Sequence, residues 1–202
     1  MVDQNQEMNQ GHDDLSDDDR SQGEAVVVVL KDEEGRSLPC YVDRSLTSGG
    51  VEYLLLFPVD HPVEIFAWEV DEENEEEEVL VDIDEEEIDD IFQTARAVLA
   101  EQDLILNYTA HTLTASGELP EADEEDVITL ELDEDEEALE QEEFQLLANF
   151  YHEEQEYAIY TPRLPLLFFA RVNEWGEPEV VPPDELQLIR SQLEDQLFED
   201  AN

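Results

Sequence analysis

Few side chains in this sequence could perform metal or nucleophilic chemistry. The four histidines fall in a predicted tail, turn, strand and turn, and no H-x-x-x-H or C-x-x-C spacing brings zinc ligands together. The single cysteine, Cys40, follows Pro39 in a predicted strand and has no identifiable base, so we expect a buried thiol. We therefore predict no catalytic residue, no metal site, no cofactor and no enzymatic activity. The histidines are His12, His61, His111 and His152.

Carboxylates are the abundant ionisable groups. The chain has 59 acidic and 8 basic residues, a formal net charge of -51. Carboxylate pairs are too frequent to indicate acid-base catalysis. The runs Glu75 to Glu78 and Asp133 to Glu137 could attract Ca²⁺ or Mg²⁺ diffusely, but neither has the central glycine of a calcium-binding loop. We interpret both runs as surfaces for a partner.

The charge restricts the class of partner. Nucleic-acid phosphates and anionic lipids bind mainly Lys and Arg, so a polyanion is predicted to bind neither nucleic acid nor membranes directly. A basic protein or ribonucleoprotein component is the complementary partner.

Met1 to Glu24 lacks the apolar core of a signal peptide, and no run approaches about 18 apolar residues. We expect a soluble, cytoplasmic protein.

A strand-turn-strand pattern occurs twice. Val51 to Phe57 and Val63 to Val70 are β-forming runs separated by a turn with two prolines. A similar pattern returns from Glu156 to Val172, and Trp175-Gly176 then mark a turn. With the two strands between Ala25 and Val42, the first copy predicts a four-stranded antiparallel meander. The correspondences are Tyr53 with Tyr157, Pro58 with Pro162, Pro62 with Pro165, and Phe66-Ala67 with Phe169-Ala170.

An amphipathic helix is predicted to follow each meander. In the first copy, apolar residues from Ile88 to Leu99 recur at helical spacing, and Asp84 is a good N-cap with Glu87 three residues on. A second apolar stripe, Leu186 to Leu197, lies 98 positions later. An edge strand is predicted at Val79 to Ile83. A further strand is predicted at Leu104 to Leu113.

These patterns predict an α+β fold made by tandem duplication of a small antiparallel β-meander followed by one amphipathic helix. Folded layers are predicted to alternate with acidic segments that are either disordered or face the solvent. The predicted divisions are a disordered acidic tail at 1–24, a first sheet-plus-helix unit with an extra strand at 25–117, an acidic linker at 118–126, and a second unit at 127–199.

One strand of the second copy could also contact a partner. Phe168 and Phe169 are adjacent, so they should face opposite sides of a strand, and leucines surround them. Part of this strand is therefore expected to form an exposed apolar patch. The candidate partner-binding residues are Glu75, Glu76, Glu77, Glu78, Asp133, Glu134, Asp135, Phe168 and Phe169.

The order of motifs supports a family resemblance. The series E-Y-L-L-L-F-P, P-V-E-I-F-A-W, acidic run and E-E-I-D-D-I-F helix resembles an uncharacterised family of acidic proteins from cyanobacteria and plastids. The second copy, from I-T-L-E-L-D-E-D to the D-E-L helix, is similar to the YrzB-like acidic domain of Gram-positive bacteria. Genes of the YrzB-like type often lie beside one for a pre-rRNA nuclease, so the resemblance implies a link to ribosome metabolism.

Two functional hypotheses follow from the charge and the absence of catalytic motifs. The first is a non-enzymatic acidic adaptor or assembly factor that binds a basic protein or ribonucleoprotein component. The alternative is a nucleic-acid mimic that inhibits or regulates a nuclease or another nucleic-acid-binding enzyme. The mimic requires carboxylates at phosphate-like spacing on a rigid surface.

Overall fold

A computed structural model of the protein describes residues 25–71, 78–132, 140–182 and 185–186. The predicted tail at 1–24, the residues Glu75 to Glu77 and Asp133 to Asp135, and most of the predicted second helix lie outside these ranges. Residues 185 and 186 are helical.

The described chain is mostly β-sheet with one α-helix, in agreement with an α+β class rich in β-structure. The elements are β1 (Val27–Lys31), β2 (Ser37–Ser48), β3 (Val51–Pro58), β4 (His61–Val70), β5 (Glu78–Asp82), α1 (Glu85–Ala100), β6 (Ile105–Tyr108), β7 (Leu113–Ser116), β8 (Val127–Leu132), β9 (Glu140–His152), β10 (Gln155–Pro162), β11 (Phe168–Val172) and β12 (Pro178–Val180).

The strands form two sheets, and both sheets contain strands from both halves of the chain. One sheet has the order β1-β2-β3-β11-β12. The other has the order β6-β7-β4-β10-β9-β8, with β5 also paired to β4. In the first sheet, β1, β2 and β3 from the first half of the chain lie beside β11 and β12 from the second half. In the second sheet, β8, β9 and β10 from the second half lie beside β4 and β5 from the first half. These two sets of five strands therefore each combine three strands of one half with two of the other.

The predicted four-stranded meander is wrong at its last step. β1, β2 and β3 pair in order, but β4 leaves them and pairs with β10 in the second sheet. The turn between β3 and β4 lies between Pro58 and Pro62. Pro58 ends β3 opposite Cys40, and Pro62 lies in β4 opposite Thr114. Because proline has no N–H for a ladder and fixes its own φ, both residues restrict the backbone where the chain changes sheet. β10 and β11 likewise belong to different sheets.

The first sheet curves until its edges meet. β1 and β12 lie at opposite edges, yet they contact each other, and Lys31 Nζ lies 3.4 Å from Glu177 Oε1. The concave side holds a buried cluster that includes Leu30, Leu56 and Cys40. Burial raises the pKa of the Cys40 thiol to about 11. The expected buried cysteine is therefore confirmed.

Helix α1 covers one face of the second sheet. The Asp84 carboxylate accepts a hydrogen bond from the Glu87 N–H at 2.9 Å, so the predicted N-cap is confirmed. Ile91, Ala95 and Leu99 are buried against β-strands of both halves. The Tyr157 hydroxyl on β10 donates to Glu87 at 2.6 Å and ties the sheet to the start of the helix.

The other face of the second sheet has its own aromatic cluster. Phe66 packs edge-on against Phe144 and Tyr160, and all three are buried. Tyr157, by contrast, faces α1, and Tyr53 shares a cluster with Leu186 of the second helical segment. Phe169 also lies in the cluster with Leu186. Phe66 faces away from its helix and Phe169 towards one, so the predicted correspondence of these two residues is wrong by one position.

Two smaller predictions have different outcomes. The edge strand predicted near Val79 is confirmed as β5, which pairs with β4. The single strand predicted from Leu104 to Leu113 is wrong, because the segment forms β6, a turn and the start of β7. His111 has a φ of 67°, and the Thr109 hydroxyl donates to the Thr112 carbonyl at 2.6 Å, which closes the turn.

Glu64 predicts a pH dependence of stability. Burial, and then the neighbouring carboxylates Glu142 and Asp82, raise the pKa of Glu64, although its side chain is exposed at the surface of β4. A carboxyl group whose pKa is raised in the folded state adds most to the free energy of unfolding at low pH. That contribution is lost as the pH rises through the raised pKa. Glu64→Gln is therefore expected to raise the melting temperature near neutral pH.

The test of Glu64 compares thermal unfolding at about pH 7.5 and about pH 4, the second of which lies below the ordinary glutamate pKa. Glu69→Gln, on the same strand and also exposed, controls for the loss of one charge from a polyanion. A larger gain for Glu64→Gln than for Glu69→Gln at the higher pH is the expected result. Equal gains, or a gain that grows towards acid pH, would contradict the role of burial.

Candidate functional site: a groove between the two sheets

The two chain crossings between the sheets border an open groove of about 490 Å³. One wall contains the end of β3 and the turn into β4, and the other contains the end of β10 and the segment before β11. The lining is largely apolar and includes Tyr41, Phe57, Pro58, Pro162, Leu164 and Leu166. The groove therefore presents apolar surface supplied by both halves of the chain.

Internal hydrogen bonds hold the walls of the groove. The Thr161 hydroxyl donates to the Pro62 carbonyl at 2.8 Å, which joins β10 to β4 across the two halves. The Gln145 amide donates to the Pro120 carbonyl at 2.9 Å. The Ser116 hydroxyl donates to the Asp60 carboxylate at 2.9 Å. These three polar groups are occupied in fixing the walls, so the groove offers a ligand mainly apolar contact, with His61 and Arg163 as further polar lining residues.

The exposed apolar surface lies just before β11. Leu164 is 64% exposed and Leu167 is 50% exposed. Phe168 packs towards the concave cluster and contacts the His111 ring, with 6.1 Å between ring centroids, whereas Phe169 packs with Leu186. The prediction that Phe168 and Phe169 face opposite sides is confirmed. The accessible part of the predicted patch is thus the leucines rather than the phenylalanines.

The predicted acidic surface is only partly described. Glu78 begins β5, is exposed, and lies opposite Val70, which is also exposed. The other candidates, Glu75 to Glu77 and Asp133 to Asp135, fall outside the described residues. Their role in binding stays a prediction.

The positive charges are largely paired with carboxylates. Among the six Lys and Arg side chains of the described ranges, five lie within 4.0 Å of a carboxylate oxygen. Arg163, on the rim of the groove, pairs with Glu143 at 3.2 Å. The unpaired carboxylates therefore set the sign of the surface potential. The five pairs are Lys31–Glu177, Arg36–Asp32, Arg44–Asp43, Arg163–Glu143 and Arg171–Glu185.

The described histidines do not converge. His61 lines the groove, His111 lies against Phe168, and His152 Nδ1 is 3.1 Å from the Thr94 hydroxyl on α1. Within the described ranges, no group of three or more His, Cys, Asp and Glu side chains is arranged to hold a metal ion. The geometry of the groove is suited to binding a protein segment through apolar contacts beside negative charge.

Comparison with known families divides the chain in two. A family described as "Protein of unknown function (DUF1292)" matches residues 33–100, and one described as "Protein of unknown function (DUF3727)" matches residues 103–200. Two segments of the chain are therefore each similar to a domain family of unknown function. No curated protein and no solved structure matches it.

The boundary between the two matched segments falls between α1 and β6. β4 of the first segment nevertheless pairs with β10 of the second, and β3 pairs with β11. Both sheets, and the groove between them, therefore need both segments. No helix in the described parts of the chain has the length and apolar character to cross a membrane.

Sequence reasoning missed the groove, although one signal was available. The four prolines at the two crossings form corresponding pairs in the sequence, and this pattern predicts turns within a meander rather than a change of sheet. Tyr41 and Phe57, whose ring centroids are 5.4 Å apart beside the groove, lie in predicted strands, and strand alternation alone does not indicate a groove.

Proposed function

We propose that this protein is a non-enzymatic, cytoplasmic acidic adaptor or assembly factor that binds a basic protein or a basic component of a ribonucleoprotein. The observation that supports this most is the balance of charges. The net charge is -51, and five of the six described cations are already paired with carboxylates. A positively charged surface therefore finds attraction over most of the described chain.

Charge and groove have separate roles in this proposal. The excess of carboxylates attracts a basic surface and increases the rate of encounter, but at about 0.15 M salt this attraction acts over only about 8 Å. The groove beside Leu164 then supplies apolar contact, and burying one large aliphatic side chain contributes about 1.5 to 3 kcal/mol. A partner with apolar residues inside a basic segment fits both features.

We also infer that the chain arose by tandem duplication followed by exchange of strands between the copies. The order of the first sheet, β1-β2-β3 beside β11 and β12, has a counterpart in β8-β9-β10 beside β4 and β5. Tyr53 and Tyr157 occupy corresponding strands and both face a helical segment. We take the two matched families to be the acidic cyanobacterial-plastid and YrzB-like families that the sequence resembles.

The proposed function predicts salt-sensitive capture of basic partners. Tagged protein is incubated with lysate at about 0.05 M and about 0.5 M salt, and bound proteins are identified by mass spectrometry. We expect basic proteins to be enriched at low salt and lost at high salt. A double variant, Leu164→Asn with Leu167→Asn, should reduce capture without changing the net charge.

The control for the double leucine variant is Ile105→Asn, because Ile105 is also exposed but lies outside the groove and outside the segment before β11. Capture that survives high salt and is unaffected by the leucine changes would contradict the adaptor proposal. Displacement of an enriched nuclease by duplex DNA or RNA would instead favour the nucleic-acid mimic.

A further inference from the structure

Trp175 is the most exposed large apolar side chain of the described residues. It lies at the tip of the β11–β12 hairpin and is 80% exposed, whereas the other tryptophan, Trp68, packs against the aromatic cluster of the second sheet. An indole left in water forgoes the large burial that tryptophan usually makes. Tryptophan is also among the residues that contribute most to protein interfaces.

The turn that presents Trp175 is held in place by its own hydrogen bonds. The Asn173 side-chain oxygen accepts from the N–H groups of Trp175 at 3.0 Å and Glu177 at 2.9 Å. The Asn173 backbone also bonds to Gly176 and Glu177 at 3.0 Å and 2.9 Å. Gly176 has a φ of +80°, which glycine adopts without steric cost. The indole is therefore carried on an ordered turn, so little backbone entropy is lost when it binds.

The surroundings of Trp175 favour a cation. Glu174, Glu177 and Glu179 are exposed on the same hairpin. Next to it, a cleft of about 170 Å³ is bordered by Val29 and Pro178 as well as by Glu177 and Glu179. The cleft thus combines an apolar surface for a side-chain stem with carboxylates for a charged head group. Of these carboxylates, Glu179 also lies 3.7 Å from the Arg171 guanidinium and accepts from the Asn173 amide at 2.8 Å.

The protein's own Lys31 already uses this cleft. Its ammonium lies 3.4 Å from Glu177 Oε1, and both side chains are more than half exposed. Exposed ion pairs of this kind contribute little, about 0 to 1 kcal/mol, so a second cation can replace Lys31 at small cost. A neighbouring cation could also lie over the indole face, the best aromatic surface for a cation.

We propose that the β11–β12 hairpin is a binding site for lysine or arginine side chains of a basic protein segment, with Trp175 as its anchor. This inference rests on the proposed function, and it specifies which side chains of the basic partner bind at the β11–β12 hairpin. The segment inserts a cation beside Glu177 and Glu179, and its aliphatic stem packs on Trp175 and Pro178. The site is separate from the groove, since none of these residues lines it.

The test uses a synthetic oligolysine peptide as the probe. In a Trp68→Phe background, the remaining tryptophan fluorescence reports on Trp175, and a saturable change on titration at about 0.05 M salt is expected. Affinity is measured in parallel by anisotropy of labelled peptide. Trp175→Ala is expected to weaken binding by roughly tenfold, a typical loss for an interface tryptophan, and Trp175→Phe by less.

Tyr151→Ala is the matched control, because Tyr151 is an aromatic residue that is 66% exposed on β9. It should leave peptide affinity unchanged. If the peptide binds Trp175→Ala as tightly as the wild type, the hairpin inference is overturned while the adaptor proposal stands. If the peptide does not bind the wild type even at low salt, both are overturned.

Discussion

Replacing Ile159 with alanine is expected to lower the free energy of unfolding by about 2 to 5 kcal/mol, the usual cost of truncating a buried isoleucine. Ile159 on β10 is fully buried in the cluster beneath α1. It lies opposite Ile65 on β4, which belongs to the other half of the chain. The substitution therefore leaves a cavity at the strand pair that joins the halves.

The measurement is urea unfolding followed by far-ultraviolet and near-ultraviolet circular dichroism. Ile105→Ala is the matched control, because Ile105 is 52% exposed on β6 and should lose little stability. Because both sheets contain strands of both halves, the two signals should change in one shared transition in every variant. Two separate transitions, or equal losses for Ile159→Ala and Ile105→Ala, would contradict the shared core.

Replacing Gly117 with alanine is expected to lower the free energy of unfolding by about 2 to 4 kcal/mol, because backbone strain and overpacking both act at this position. Gly117 follows β7 with a φ of +134°, a conformation that residues with a Cβ rarely adopt. An added Cβ would lie 2.8 Å from the Asp103 carbonyl oxygen and 2.9 Å from Leu104 Cδ2. Leu104 is fully buried, so the neighbouring backbone must move.

The matched control is Gly35→Ala. Gly35 also has a positive φ, +85°, but no atom lies within 4 Å of its added Cβ. Gly35→Ala is expected to lower the free energy of unfolding by about 1 to 2 kcal/mol, which is the cost of the left-handed backbone conformation alone. Equal melting temperatures for the two variants would show that the contact at Asp103 and Leu104 relaxes freely.

Elements that depend on neighbouring residues were predictable. Helix α1 was expected from its apolar stripe and the Asp84 cap, and it extends from Glu85 to Ala100. The turn at Trp175-Gly176 also matches its local signal. In each case the hydrogen bonds connect residues a few positions apart, so the local sequence contains both partners.

Strand partners were not predictable in the same way. Alternation of apolar residues shows which face of β4 is buried but does not show which strand lies beside it. Proximity in the chain suggested β3 as the neighbour of β4, whereas the structure places β10 there. The one-residue difference between Phe66 and Phe169 has the same origin, since register is set across the ladder.

The candidate site was harder still to foresee. The groove brings Phe57 beside Leu164, which are distant in sequence. The turn at Trp175 was predictable, but the exposure of its indole was not. Composition predicted the negative charge and therefore a basic partner. It could not predict that a tryptophan would stand exposed on an ordered hairpin next to a lysine-binding cleft.

Local composition and periodicity were thus sufficient for the positions of the helix, several strands, the buried thiol and the sign of the surface charge. These properties depend on the chemistry of each residue and on residues a few positions away in the sequence. The exchange of strands between halves, the groove and the exposed indole depend on which distant surfaces exclude water from each other. That outcome is a minimum of the free energy of the whole chain, so no single stretch of sequence contains it.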